Sequence, residues 1–322
     1  MNRMTRLLLA VTMAVLPALA CAQAWPTKPV RFIVPYPPGG TSDILARTIG
    51  EKLGTALGQT IVIENKAGAN GNIGADFVAK APPDGYTFLL ADIGAIAISP
   101  SVYPTLPFDP VKDFAPVTMV AYSPHILAVH PSVPAKSVAE LVALAKSKPG
   151  KLNYAASSTG SAPHLAGVEF ASRAGVEWQY IPYKGGAQAI TDVVGGQADL
   201  LFNGMLATYP QVKNGKLRIL AVSSANRVAS IPEVPTVAES GYPGFETGSW
   251  QGILAPPGTP RDIVAKLGAE VGKILQTPDM KEKLAAQGAE VRLMSPEEFA
   301  GFIRREKDRW AKVVKDAGIK AD

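Results

Sequence analysis

A single cysteine, Cys21, in a chain of 322 residues leaves no material for a disulfide framework or a thiolate metal cluster. Histidine is almost as scarce. His125, His130 and His164 are the whole supply, and the first two, five residues apart, form no natural chelate on a strand or loop. They read as structural. No H-E-x-x-H helix, no G-x-S-x-G nucleophile turn and no Walker phosphate loop occurs. Charge of one sign is also lacking. Lys and Arg number 32 against 27 Asp and Glu; Arg3 and Arg6 lie before residue 25, so the rest carries 30 against 27, a net of +3. So small and interspersed a charge gives no reason to expect a nucleic-acid partner. Beyond the first two dozen residues no apolar run approaches the roughly 20 residues that span a bilayer. What is plentiful is core material: hydrophobic residues make up 47% and charged residues 18%. That excludes a mainly disordered chain, and the length suggests about two domains at roughly 150 residues each.

Residues 1–24 read as a secretory signal peptide. Arg3 and Arg6 form its positive start, Leu7 to Ala20 its apolar run, and Ala18, Ala20, Ala22 and Ala24 offer A-x-A cleavage sites. The run is too short for a membrane anchor. Lipidation at Cys21 is the alternative, with Ala18 three residues before it instead of the usual Leu. The mature chain is expected to be soluble and periplasmic.

Strands are expected at Val30–Tyr36, Thr60–Glu64, Tyr86–Ala91, Ile126–His130, Leu152–Ala156, Trp178–Tyr183, Asp199–Asn203 and Leu217–Ser223, short apolar runs bounded by Gly, Pro or Asn. Helix starts are marked by Ser137 with Glu140, by Thr259-Pro260, by Thr277-Pro278 and by Ser295-Pro296-Glu297-Glu298. The last helix carries Phe299, Phe302, Ile303, Trp310, Val313 and Val314 at helical spacing, a core-facing stripe. Alternating strands and helices predict an α/β chain with two open, mostly parallel sheets. The chain is expected to cross between the two domains more than once.

Two loops share one pattern. Val30–Tyr36 ends in Pro37-Pro38-Gly39-Gly40-Thr41-Ser42-Asp43 before a helical pattern, and Leu152–Ala156 ends in Ser157-Ser158-Thr159-Gly160-Ser161 before another. Free N–H groups at a helix start attract an anion, and glycine lets a ligand approach the backbone. Ordinary turns of an α/β fold look the same, but one such loop in each half of the chain points to a carboxylate clamp between two lobes. Ser157, Ser158, Ser161 and His164 also keep a secreted serine hydrolase open as an alternative, since triads assemble across distance. Gly68-Ala-Asn-Gly71-Asn-Ile-Gly74 has the spacing G-x-x-G-x-x-G and follows the second strand. It reads as a tight turn into a helix, not a dinucleotide fingerprint.

The chain resembles the solute-binding receptors of tripartite tricarboxylate transporters, the Bug-type family. The matching stretches are Trp25–Gly40, Asn65–Gly74, Pro83–Thr87, Ile181–Gly186, Gly215–Val222, Pro235–Glu239 and Gly252–Pro260, in the family's order. The resemblance implies a two-lobed periplasmic-binding-protein fold closing like a flytrap, with residues 25–124 and 225–322 in one lobe and 125–224 in the other. It implies a receptor, with no catalysis, cofactor or metal, that delivers an organic carboxylate to membrane permease subunits. A monomer is expected; a ligand-sensing subunit of a signalling system is the other alternative. The implied ligand contacts are Tyr36, Pro38, Gly39, Gly40, Thr41 and Asp43 in the first loop; Ser157, Ser158, Thr159, Gly160, Ser161 and His164 in the second; and Asn203. Three positions depart from the family's pattern: Asn203 replaces Asp, Ser158 stands where glycine is usual, and Tyr36 replaces Phe. A neutral amide at Asn203 predicts a ligand without an α-amino group. Asp43 and Asp92 are further acids able to face the pocket, and Tyr36, Tyr209 and Trp250 are aromatics able to line it.

Overall fold

Seven of the eight apolar runs become separate strands within two residues of their expected ends. The structure is a computed structural model and describes residues 25–320; the leader and Cys21 lie outside the described residues. Strands β1 (Val30–Val34), β2 (Ile61–Asn65) and β3 (Thr87–Asp92) form one parallel set in the order β2-β1-β3. Their crossovers are α1 (Thr41–Leu57) and α2 (Asn72–Ala79), and a short α3 (Ser99–Val102) follows β3. After β4 (Ala115–Val129) and α4 (Val138–Ser147), the pattern repeats. β5 (Asn153–Ser157), β6 (Gln179–Tyr183) and β7 (Leu200–Gly204) form a second parallel set, β7-β5-β6, with crossovers α5 (Ala162–Ala174) and α6 (Gly186–Val194). The chain continues through α7 (Met205–Lys213), β8 (Arg218–Val222), β9 (Gly248–Ala255), α8 (Arg261–Gln276), α9 (Pro278–Ala285), β10 (Glu290–Val291) and α10 (Pro296–Ala317).

The centre of the sheet departs from the expectation. The eighth run, Ile126–His130, is only the end of a 15-residue β4. β4 pairs with β9 over Ala115–Pro124, then with β7 and β8 over His125–Val129. One path, β2-β1-β3-β9-β4-β7-β5-β6, therefore joins both parallel sets. Every ladder made by β4 or β9 is antiparallel, so the sheet is parallel only on its flanks. The cause is that the chain passes between the halves twice, in opposite directions. Pro124 concealed the long strand. It has no N–H to donate, and it sits opposite Gly248 where β4 exchanges one set of partners for the other.

Each half has its own core. In the first, Val30, Phe32 and Val34 pack on Leu45, Ile49 and Leu53 of α1 and on Leu267 and Val271 of α8. In the second, Leu127, Tyr154, Phe170 and Phe202 pack with Val237 and Phe245. Burying each such side chain stabilises the fold by about 1.5–3 kcal/mol. Val237 and Phe245 keep the segment after β8 with the second half, where Val222 also bridges Thr236. On α10, Phe299, Ile303, Trp310 and Val314 are buried as their spacing requires, and Ser295 with Glu298 completes a capping box. The other caps differ. Ser137 accepts from Glu140 N, but Glu140 reaches back to Lys136 N. Thr259 and Thr277 turn their hydroxyls to the carbonyls of Pro256 and Ile274, both at 2.8 Å, and Pro260 caps α8.

Candidate functional site

The carboxyl ends of β1, β3, β5, β6 and β7 meet at one narrow cleft between the two halves of the sheet. Ligands of open α/β sheets bind at such ends. Its free volume is about 50 Å³, room for a few waters. Contacts cross it. Asn70 Nδ2 donates to Gly160 O at 3.2 Å, and Thr41 Oγ1 lies so close to Gly204 that a Cβ there would stand 2.6 Å away. The two halves are thus closed on each other.

Helix starts dominate the wall. Gly40, Thr41 and Ser42 belong to the start of α1, Ser161, Ala162 and Pro163 to α5, Gly186 to α6 and Gly204 to α7. First-turn N–H groups have no intrahelical acceptor, and each helix start carries a fractional positive charge. Residues from four of them line one space, and no Lys or Arg does. The arrangement suits a small anion held by backbone donors.

In the first loop, Tyr36, Gly40 and Thr41 are on the wall, whereas Pro38 and Gly39 are exposed beside it. Asp43 points away from the cleft. Its carboxylate accepts from Gly39 N at 2.9 Å, from Arg47 and from Asn65 Nδ2, fixing the loop from behind. Burial opposes its charge, but the hydrogen bonds from Arg47, Gly39 and Asn65 prevail and lower its pKa. With Gly39 N taken and the first helical bond made by Ile44 N to Gly40 O, the N–H groups of Gly40, Thr41 and Ser42, which line the cleft, have no intrahelical acceptor.

The second loop uses its donors on itself and on the neighbouring strand β6. Ser158 N donates to Tyr183 O at 2.7 Å, Ser161 N to Ser158 O at 3.1 Å and Gly160 N to His164 Nδ1 at 3.1 Å. Ser161 Oγ accepts from His164 N and donates to Ser157 O. Only Ser157 and Ser161 of this loop reach the wall; Ser158, Thr159, Gly160 and His164 lie outside it. Ser158 adopts φ +40°, the left-handed region, which explains why glycine suits that position. His164 is buried, stacks on Tyr180 at 4.1 Å, and burial lowers its pKa to about 4. Its Nδ1 accepts from Gly160, so the ring is a neutral loop anchor. None of the loop hydroxyls bonds to it, which removes the basis for a Ser–His nucleophile.

Asn203 is on the wall. Its Nδ2 donates to Thr208 Oγ1 at 2.9 Å, and its Oδ1 faces Gly186, where a Cβ would come within 2.5 Å. Asp92 is on the wall too, at the end of β3. Its Oδ1 accepts from Gly94 N at 2.8 Å and from Tyr36 OH at 3.1 Å, and its Oδ2 from Gln251 Nε2 at 3.0 Å. Burial nevertheless raises its pKa, and burial with the adjacent Asp92 raises that of Tyr36 well above the usual value. Trp250 is core packing instead: its Nε1 donates to Glu306 at 3.1 Å and its ring meets Phe299 and Phe302 of α10 edge-on. Tyr209 packs in the second half's core.

Sequence reading missed Ser42, Ala162, Pro163, Gly186, Gly204 and Ser249. Gly185-Gly186 after β6 repeats the strand–glycine–helix pattern and could have revealed α6. Ser249 sits on the unforeseen β9 and gave no signal. Asn70, in the glycine-rich turn before α2, links that turn to the second loop.

The family described as tripartite tricarboxylate transporter family receptor matches residues 45–319. The chain belongs to this family. The receptor is 38% identical over 322 residues to protein BugT of Bordetella pertussis, covering 98% of this chain and 99% of that one. Among solved structures, Rpa4515 of R. palustris with adipate is 41% identical, with a TM-score of 0.90, covering 92% of this chain and 99% of that one. MatC of Rhodopseudomonas palustris with bound malate is 33% identical, with a TM-score of 0.84, covering 90% and 100%. The receptor is a binding protein of a transport system and not an enzyme.

Proposed function

We propose that the protein is a periplasmic receptor that captures a small organic carboxylate as a monomer and delivers it to a tripartite tricarboxylate-type permease. The observation that carries this reading is the convergence of four helix starts on a cleft without a basic side chain. The adipate and malate held by two similar structures support the ligand class. Residues 1–24 act as the export signal. The lobes divide at Pro124/His125 and, on the return, near Thr247. Val237 and Phe245, which pack with the second half, support a return near Thr247 in place of residue 224. Gly40, Thr41, Ser42, Ser157, Ser161, Gly186 and Asn203 contact the ligand. Gly39, Asp43, Ser158, Gly160 and His164 hold the loops that present them, and Pro38 and Thr159 flank those loops. Asn203, a neutral amide, favours an acid without an α-amino group.

A thermal-shift screen of residues 25–322 against adipate, malate, succinate, citrate, benzoate, aspartate and glutamate tests the reading. A ligand at 100 times its dissociation constant adds about 2.7 kcal/mol of stability. No shift with any acid would refute carboxylate capture, and a response to the amino acids alone would refute the role given to Asn203.

A further inference from the structure

The cleft that suits an anion contains a carboxyl group of its own. Asp92 is the one acid on its wall among the described residues, and no cation accompanies it. The groups packed around it are neutral. Tyr36 from the first loop, Gly94 from the turn after β3 and Gln251 from β9 donate to it. Tyr36 is the titratable group in direct contact, and its own pKa is raised. On β9, beside Gln251, Ser249 also lines the cleft and bonds His125, whose other ring nitrogen bonds Thr247 and whose pKa burial lowers to about 3. Asp43 and Arg47 satisfy each other behind the first loop. Two buried acceptors nearby, Asn70 Oδ1 and Gln251 Oε1, lack protein partners and add no positive charge.

Asp92 shares this wall with the starts of α1, α5, α6 and α7, so a ligand carboxylate held by those starts faces its carboxyl group across one cleft. Two carboxylates sharing a site cannot both stay ionised without a cation between them. We propose that the receptor takes up its carboxylate together with one proton, which Asp92 holds while the cleft is occupied. The proton comes from a buffer acid or hydronium and forms an O–H bond on Asp92 Oδ2. Oδ1 already accepts two hydrogen bonds and Oδ2 only one, so Oδ2 keeps a lone pair for the proton. The resulting hydroxyl can donate to a ligand oxygen, replacing repulsion with a hydrogen bond. Release of the ligand returns the proton to solvent. Asp92 thereby becomes a specificity residue that couples affinity to pH. This inference rests on the carboxylate-receptor reading.

By linkage, affinity falls as pH rises, by up to tenfold per unit, between the pKa of Asp92 in the free cleft and in the occupied one. The test is isothermal titration calorimetry with adipate and malate, from about pH 6 to pH 8.5, in two buffers of different ionisation enthalpy. Wild type should take up a fraction of a proton per ligand, approaching one within that window. Asp92→Asn, which carries a neutral amide in the same place, should take up none beyond the ligand's own contribution, and its affinity should be flat with pH. At the alkaline end it should bind more tightly than wild type. Binding by wild type with no proton uptake, or uptake unchanged in Asp92→Asn, would overturn proton coupling and leave the receptor reading intact. Tight binding of aspartate or glutamate that Asp92→Asn abolishes would also overturn it, by making Asp92 the partner of an ammonium group. Failure of every acid to bind would remove both readings together.

Discussion

The loops at Gly39–Ser42 and Ser157–Ser161 look interchangeable in sequence, yet they divide the work unequally. Each follows a parallel strand, opens a helix and is pinned from behind by a side chain four residues on: Gly39 N on Asp43, Gly160 N on His164. The first leaves three successive N–H groups to the cleft. The second spends its N–H groups on its own turn and on Tyr183 of β6, and presents mainly two serines. One is a donor surface, the other a rigid brace that meets the opposite half through Asn70 and Val102. A pattern of glycines and hydroxyls marks where a loop can approach a ligand; the hydrogen bonds it already makes decide what it has left to offer.

The sharpest way to break this contrast is at the brace. Gly160 has φ +74° and a Cβ there would stand 2.6 Å from Val102. Gly160→Val should cost about 3 kcal/mol or more, from backbone strain and overpacking together. Urea denaturation would measure it, and wild-type stability would show that the second loop is not a brace.

Gly40 tests the donor surface. Its φ is −81°, and the nearest atom to an added Cβ is Pro37 O at 3.8 Å, so the fold does not require glycine there. Gly40→Val should leave stability within about 1 kcal/mol. It should weaken carboxylate binding by about 1.5–3 kcal/mol, roughly tenfold to more than a hundredfold. Unchanged affinity in calorimetry would put the carboxylate elsewhere.

The two pins should also fail at different pH. His164 has a folded pKa of about 4, below the ordinary histidine value near 6.5. A base lowered in this way stabilises the fold above its unfolded pKa, and that stability is lost as pH falls toward the folded value. Between about pH 6.5 and pH 5 the loss due to His164 should be roughly 2 kcal/mol. Asp43 has a lowered pKa, so its pin persists until the pH falls below the ordinary carboxylate range. Denaturation of wild type and His164→Asn at both pH values isolates the effect, because His125 supplies the same slope in each protein. An equal slope in both would remove His164 as the pH-sensitive pin.

The smallest effect is expected at Ser158. Its left-handed backbone is strained for serine, and its hydroxyl reaches Tyr183 O only at 3.5 Å. Ser158→Gly should raise stability by about 0.5–1 kcal/mol, readable as a small increase in Tm. A loss of stability would mean that the hydroxyl contributes more than its distance implies.

The sequence by itself determined the parallel flanks, the two glycine-rich loops and the core stripe of α10. All depend on local rules: apolar runs of strand length, glycine before a helix, apolar residues at helical spacing. It also placed Asn203, Tyr36, Gly40, Thr41, Ser157 and Ser161 at strand ends, where a ligand would be met. Only the tertiary structure decided the centre and the charge of the site. Pro124 reads as a strand breaker until β4 is seen exchanging partners there, and β9 has too few β-branched residues to announce itself. Whether Asp43 or Asp92 faces the cleft could not be read from either residue. Asp43 is drawn away by Arg47, Asn65 and Gly39, whereas Asp92 is held on the wall by Gln251 of β9, 159 positions along the chain. Hydrogen-bond partners that distant are set by packing, and no local pattern records them.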